Sequence, residues 1–85
     1  MNQEDVVRLT NQVFEDSFEI EKSKLVSGAN IFSDLGLDSL DIVDLVVALQ
    51  KKFGVVIRND SRVRNIRTLG DIHQFILTIK QENEK

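Results

Sequence analysis

The stretch Leu35-Gly36-Leu37-Asp38-Ser39-Leu40-Asp41-Ile42-Val43-Asp44-Leu45-Val46-Val47-Ala48-Leu49 decides how this chain is read. Placed at about 100° per residue, Ile42, Leu45, Val46, Leu49 and Phe53 fall within about 100° of arc. That stripe is the core-facing side of a helix from Ser39 to about Phe53, and Gly54 is its stop signal. Leu40 and Val47 lie nearly opposite, beside Asp44 and Lys51, with Val43 between the two faces. A helix packed by one face needs only the first stripe. The second has two readings. Isolated surface hydrophobics are normal. Alternatively, Leu40, Val43 and Val47 form a docking surface for a partner helix, rimmed by Asp38, Asp41 and Asp44. Those acids also sit where a helix dipole favours negative charge, so they stabilise the helix start in either case.

Working outward, the pattern stays helical. Val6, Leu9, Val13, Phe14 and Phe18 share one face of a segment from about Gln3 to Phe18. A long connection follows, from about Glu19 to Asp38, with a turn signal at Ser27-Gly28-Ala29-Asn30. It also contains Leu25, Ile31, Phe32, Leu35 and Leu37, too many apolar anchors for a disordered segment, so it is expected to be pinned to the core. Beyond Gly54, Val55-Val56-Ile57 reads as a short extended link. Asn59 to Ile66 holds a helical turn or two, with Val63 and Ile66 inward. Thr68-Leu69-Gly70-Asp71 fits a capping box with Thr68 as the N-cap. The last helix then runs to about Gln81, with Leu69, Ile72, Phe75, Ile76 and Ile79 inward and residues 81–85 expected to fray. The expectation is an all-α single domain over residues 1–85, with three longer helices, one short third helix and a long first loop.

Composition limits the chemistry. The chain has 85 residues, no Cys and one His. A core of that size is small and leaves little room for an enzymatic cleft. The missing Cys excludes disulfides and thiolate chemistry, and with a single His the usual zinc sites are gone. No paired acid and base and no phosphate loop is present, so an enzyme is not expected. Asp34, Asp38 and Asp41 lack the spacing of a calcium loop. The N-terminus is acidic and polar, unlike a signal peptide. The longest apolar run, Leu45 to Leu49, is too short to span a membrane. A cytoplasmic location without membrane contact is the expectation.

Residues 1–44 hold ten acids and three bases, and the remainder four acids and eight bases, so the first half should attract basic partners. The bases of the second half are scattered and Phe is the only aromatic type, so a nucleic-acid footprint is absent.

Ser39 stands where the long loop becomes the helix, with Gly36 relaxing the backbone before it. An arbitrary Ser there would be a helix cap. However, Leu35-Gly36-Leu37-Asp38-Ser39-Leu40-Asp41 resembles the phosphopantetheine attachment motif of acyl carrier proteins, whose core is Asp-Ser-Leu after a Leu-Gly pair. The resemblance continues through Asp41 to Leu49 and includes Phe53 and Ile57, and the helix order and long first loop agree with it.

The resemblance implies a four-helix bundle that carries acyl groups as thioesters on a 4'-phosphopantetheine arm. It implies that a phosphopantetheinyl transferase moves the arm from coenzyme A onto Ser39, with Asp38 helping to position the transferase's magnesium ion. It further implies service to ketosynthases, acyltransferases and related enzymes of fatty-acid or polyketide type, by a monomeric carrier. Partner contacts would fall on Leu40, Asp41, Val43, Asp44 and Val47. An acyl pocket inside the bundle would draw on Val46, Leu49, Ile57, Val63 and Ile66, with Ile31, Phe32, Leu35, Val43 and Val47 also at matching positions; ordinary core is the alternative reading of most of them. A phosphodiester on Ser39 would meet a helix N-terminus, where unpaired N–H groups favour an anion. Nothing in the chain activates Ser39, since His73 lies on a different helix, as a surface or half-buried residue without a role.

The chain departs from the family after the second helix begins. Gln50, Lys51 and Lys52 close that helix where acids are usual. Arg58 falls where many relatives have Pro, and Arg62, Arg64 and Arg67 follow. Like-signed arginines should loosen the short helix. The departures suggest a specialised carrier in a dedicated pathway. An aminoacyl or peptidyl carrier is the alternative within the fold. An unmodified helical adaptor docking through Leu40, Val43 and Val47 is the alternative outside it.

Overall fold

The computed structural model describes residues 2–57 and 61–83. Three α-helices, α1 (Gln3–Phe18), α2 (Ser39–Phe53) and α3 (Leu69–Asn83), alternate with two 3-10 helices, Lys22–Lys24 and Ser61–Asn65. The described residues contain no strand, as the all-α reading expects. α1 packs against both α2 and α3. Arg58 and the Asn59 start of the expected short helix lie outside the described residues.

Each α-helix begins on a side chain that satisfies its first amides. Asn2 Oδ1 accepts the Asp5 N–H at 2.9 Å, and Glu4 and Asp5 place negative charge in the first turn of α1. Val6, Val13 and Phe14 are then buried on one face, with Leu9 and Phe18 packed at its edge. α1 ends on Glu19, whose φ of 56° puts a non-glycine residue in the left-handed region. α2 ends on Gly54, which suits that region, and the Gly54 and Val55 N–H groups both reach the Gln50 carbonyl.

The expected capping box opens α3. Thr68 Oγ1 accepts the Asp71 N–H at 3.1 Å, and Asp71 Oδ2 accepts the Arg67 and Thr68 N–H groups at 3.0 Å each. Those backbone donors, Arg67 first and then Thr68, hold the Asp71 carboxyl below its usual range. α3 buries Leu69, Ile72, Phe75, Ile76 and Ile79 as expected. It continues to Asn83, past Gln81, because the Asn83 side chain donates to the Ile79 carbonyl and Glu82 pairs with Arg62.

The long first loop is fastened to the start of α3. Ile31 N–H donates to the Arg67 carbonyl at 2.9 Å, while Leu69 and Gly70 donate to the Ala29 and Ser27 carbonyls, also at 2.9 Å. A Cβ at Gly70 would stand 3.0 Å from the Ser27 oxygen, so this close approach favours glycine. Ala29, Ile31, Leu35 and Leu37 are buried beneath it. The Val55–Ile57 link needs no strand partner. Val55 and Ile57 point inward, and the Ile57 N–H donates to Gln50 Oε1 at 2.6 Å.

One expectation is corrected. His73 is buried at 5 % exposure, neither superficial nor half-buried, because it stands on α3 where α1 packs, with Nε2 3.3 Å from Asn11 Oδ1. Two of the arginines gain partners in the fold: Arg62 is bidentate to Glu82 at 2.9 and 3.0 Å, and Arg67 Nη1 donates to the Arg64 and Ile66 carbonyls. Ion pairing and backbone capture offset repulsion at these two positions.

Replacing Glu19 by glycine relieves the left-handed strain and should raise stability by about 0.5–1 kcal/mol in urea unfolding. Burial lowers the His73 pKa, so the folded state holds fewer protons than the unfolded one below about pH 6.5. Stability should be complete above that value and decline as the pH falls through the lowered one. In His73→Gln, this decline below about pH 6.5 should flatten in thermal melts.

Candidate functional site

The end of the first loop is a compact fold-back that sets where α2 starts. Asn30 Oδ1 accepts the Phe32 and Ser33 N–H groups, and Asp34 Oδ2 accepts the Asn30 N–H at 2.7 Å. Gly36 takes a φ of 78°, which lets the chain turn so that the buried Leu37 returns its N–H to the Ile31 carbonyl at 3.0 Å. The next residue, Asp38, is the N-cap of α2.

Asp38 Oδ1 accepts the Leu40 and Asp41 N–H groups at 2.9 and 3.0 Å, and Asp41 Oδ2 accepts the Asp38 N–H at 2.9 Å. This reciprocal capping box was missed in the sequence because the cap reading was given to Ser39, one residue later than the true N-cap, although its N3 member Asp41 is the same residue type as Asp71 in the box read at Thr68. The Asp38-x-x-Asp41 spacing was the available signal. The consequence for Ser39 is direct. The cap is Asp38, so Ser39 is relieved of the one structural task that would ordinarily explain a serine there. Ser39 is exposed, and its hydroxyl makes no hydrogen bond among the described residues. Two of the amides expected to face a phosphodiester are already occupied by Asp38, so an anion on Ser39 meets the helix dipole more than bare N–H groups. Asp38 Oδ2 accepts no hydrogen bond among the described residues.

The outer face of α2 is apolar and open. Leu40, Val43 and Val47 are 78 %, 63 % and 43 % exposed, and Asp44 lies exposed beside them. Asp41 is half-buried by its capping role. The inner face lines a nearly closed apolar cavity of about 10 Å³. Ile42, Leu45, Val46 and Leu49 supply its α2 wall, Val63 and Ile66 the wall at the 3-10 helix, and Ile72 and Phe75 the α3 wall. Of the five proposed pocket residues, Val46, Leu49, Val63 and Ile66 border this space. Ile57 is buried in the core without lining it. Ile31 and Leu35 are likewise core residues, and Phe32 packs at the core's edge. Ile42 and Val46 stand three and seven residues after Ser39, on the stripe that Ser39 heads.

Among the described residues, no cluster of His, Cys, Asp or Glu could hold a metal ion, and no helix is long and apolar enough to cross a membrane.

Residues 9–76 match the family model described as the phosphopantetheine attachment site. The chain therefore belongs to the phosphopantetheine-binding acyl carrier protein family, whose members carry a covalently attached 4'-phosphopantetheine. It is similar to an acyl carrier protein of Lactobacillus acidophilus, at 30 % identity over 76 residues that cover 89 % of this chain and 94 % of that one. The open serine without a structural task and the apolar space behind it fit attachment of such an arm.

Because Asp38 and not Ser39 caps α2, Asp38→Ala should cost about 1 kcal/mol in urea unfolding, whereas Ser39→Ala should stay within about 0.5 kcal/mol of the wild type.

Proposed function

We propose that Ser39 is the residue that carries the arm. The observation supporting this is its position: exposed, outside the helix cap, and at the head of the stripe that continues through Ile42 and Val46 into the cavity wall. When attached, the arm supplies a terminal thiol that holds an acyl group as a thioester, which is the chemistry a chain without Cys lacks.

Asp38 has two tasks. Its Oδ1 fixes the first turn of α2 and so fixes where Ser39 stands. Its Oδ2 faces solvent and helps position the magnesium ion that a phosphopantetheinyl transferase brings with coenzyme A. In that transfer the Ser39 oxygen bonds to the phosphorus bearing pantetheine, the pyrophosphate link breaks, and adenosine 3',5'-bisphosphate leaves. The proton of the hydroxyl goes to the transferase, since no base of this chain is hydrogen-bonded to it.

The loaded domain then works as a monomeric cytoplasmic carrier. It delivers acyl groups to ketosynthases, acyltransferases and related enzymes of fatty-acid or polyketide type. Leu40, Val43 and Val47 offer an apolar docking centre, and Asp41 and Asp44 an acidic rim that suits a basic partner. Lys51 and Lys52 at the other end of α2 would repel a partner that reads acids along the whole helix, which supports a dedicated pathway over the central one.

Incubation with coenzyme A, magnesium and a broad-specificity transferase should add one phosphopantetheine to the intact mass of the wild type and none to Ser39→Ala. Asp38→Asn retains a capping side chain and loses the charge, so it should fold normally and load at least tenfold more slowly, if the metal role is correct. An unmodified wild type would favour an adaptor.

A further inference from the structure

Two spaces adjoin the 3-10 helix Ser61–Asn65, and the same two side chains divide them. On the inner side is the closed apolar cavity below Ser39's stripe, of about 10 Å³, room for roughly one water-sized probe. On the outer side is an open groove of about 260 Å³ along α3, bordered by Asn65, Gln74 and Thr78. Ile66 and Phe75 line both. They are the partition.

Phe75 is fixed from outside by Arg62. The guanidinium lies 5.5 Å from the Phe75 ring centroid and is bidentate to Glu82, one residue before the end of α3. Arg62 also stands next to Val63, which forms part of the inner wall. The arginine therefore ties the 3-10 helix to α3 across the ring that closes the cavity. A guest entering below Ile42 and Val46 reaches the outer groove by swinging Phe75 or by lifting the 3-10 helix, and either motion breaks contacts of Arg62. The cavity as it stands holds no acyl chain, but a short guest can be admitted by outward displacement of the partly buried Ile42 and Val46, which leaves Arg62 undisturbed.

We propose that Arg62 is a specificity-determining latch that limits the length of acyl chain the domain shelters, by holding Phe75 as a partition between the inner cavity and the outer groove. This rests on the carrier reading above. Short acyl chains shelter under α2 alone. Longer ones are left with their distal end exposed, where a partner can read them. Release of the latch joins the cavity to the groove and extends the sheltered length.

The test loads wild type, Arg62→Gln and Arg62→Lys with butyryl-, octanoyl- and dodecanoyl-coenzyme A, using a broad-specificity transferase. Hydrolysis of each thioester at mildly alkaline pH is followed by intact mass. An exposed bidentate pair with a cation–π contact is an effect of about three- to fivefold. Dodecanoyl hydrolysis should therefore be about three- to fivefold slower on Arg62→Gln than on the wild type, with butyryl rates equal, and Arg62→Lys should fall between. About 1 M sodium chloride screens the ion pair and should move the wild type toward Arg62→Gln without any change of sequence. The same chain-length dependence in wild type, variants and high salt would overturn the latch. Absence of any mass gain on loading would overturn the carrier reading, and the latch with it.

Discussion

Everything at the functional end depends on three backbone hydrogen bonds that tie the first loop to the start of α3. Ile31 to Arg67, Leu69 to Ala29 and Gly70 to Ser27 join segments about forty residues apart in the chain, each at 2.9 Å. In water such bonds contribute little net, yet buried backbone groups left unpaired would be costly, so the arrangement is strongly selected once the apolar anchors collapse. Ile31, Leu35 and Leu37 supply that collapse. With the loop fixed at both ends, Gly36 turns the chain and Asp38 emerges at one defined place. A long loop thereby positions a helix terminus as firmly as a short turn would.

α2 then serves several purposes with fifteen residues. Its buried side, Leu45, Leu49 and Phe53, belongs to the core. Its flank, Ile42 and Val46, borders the cavity and is only partly buried. Its outer side leaves Leu40, Val43 and Val47 to solvent, an unfavourable exposure that a one-sided helix would avoid. The acids are divided in the same way. Asp38 and Asp41 spend their inward oxygens on each other's backbone N–H groups, and Asp44 has no such commitment. Charge that stabilises the helix start and charge available to a partner thus come from one cluster, through different atoms.

The segment after α2 shows how charge that looks repulsive in sequence becomes adhesive in the fold. Arg62 finds Glu82 and the Phe75 ring, and Arg67 turns back onto two carbonyls of its own segment. The first partnership is not local enough to be seen along the chain, since Glu82 is twenty residues away and on another helix, and the second, although local, leaves no pattern in the sequence. The same distance effect explains His73. Its helical position was readable, but its burial depends on α1 crossing α3 at Asn11, sixty-two residues earlier.

The sequence alone determined the three α-helices and most of their ends, because those follow from local physics. Apolar periodicity marked Gln3–Phe18 and Ser39–Phe53 at the bounds observed, Gly54 marked a left-handed stop, and Thr68 with Asp71 marked a reciprocal cap. The exposure of Leu40 and Val47 was also legible, since a helical repeat places them opposite the core stripe. Only the tertiary structure decided that Asp38 rather than Ser39 caps α2, because both residues stand at the right place and backbone geometry chooses between them. It alone decided which apolar residues border a cavity and which fill the core, separating Val46 and Val63 from Ile57. That distinction depends on how three helices and a 3-10 turn meet, and close packing between distant segments leaves no periodic trace along the chain.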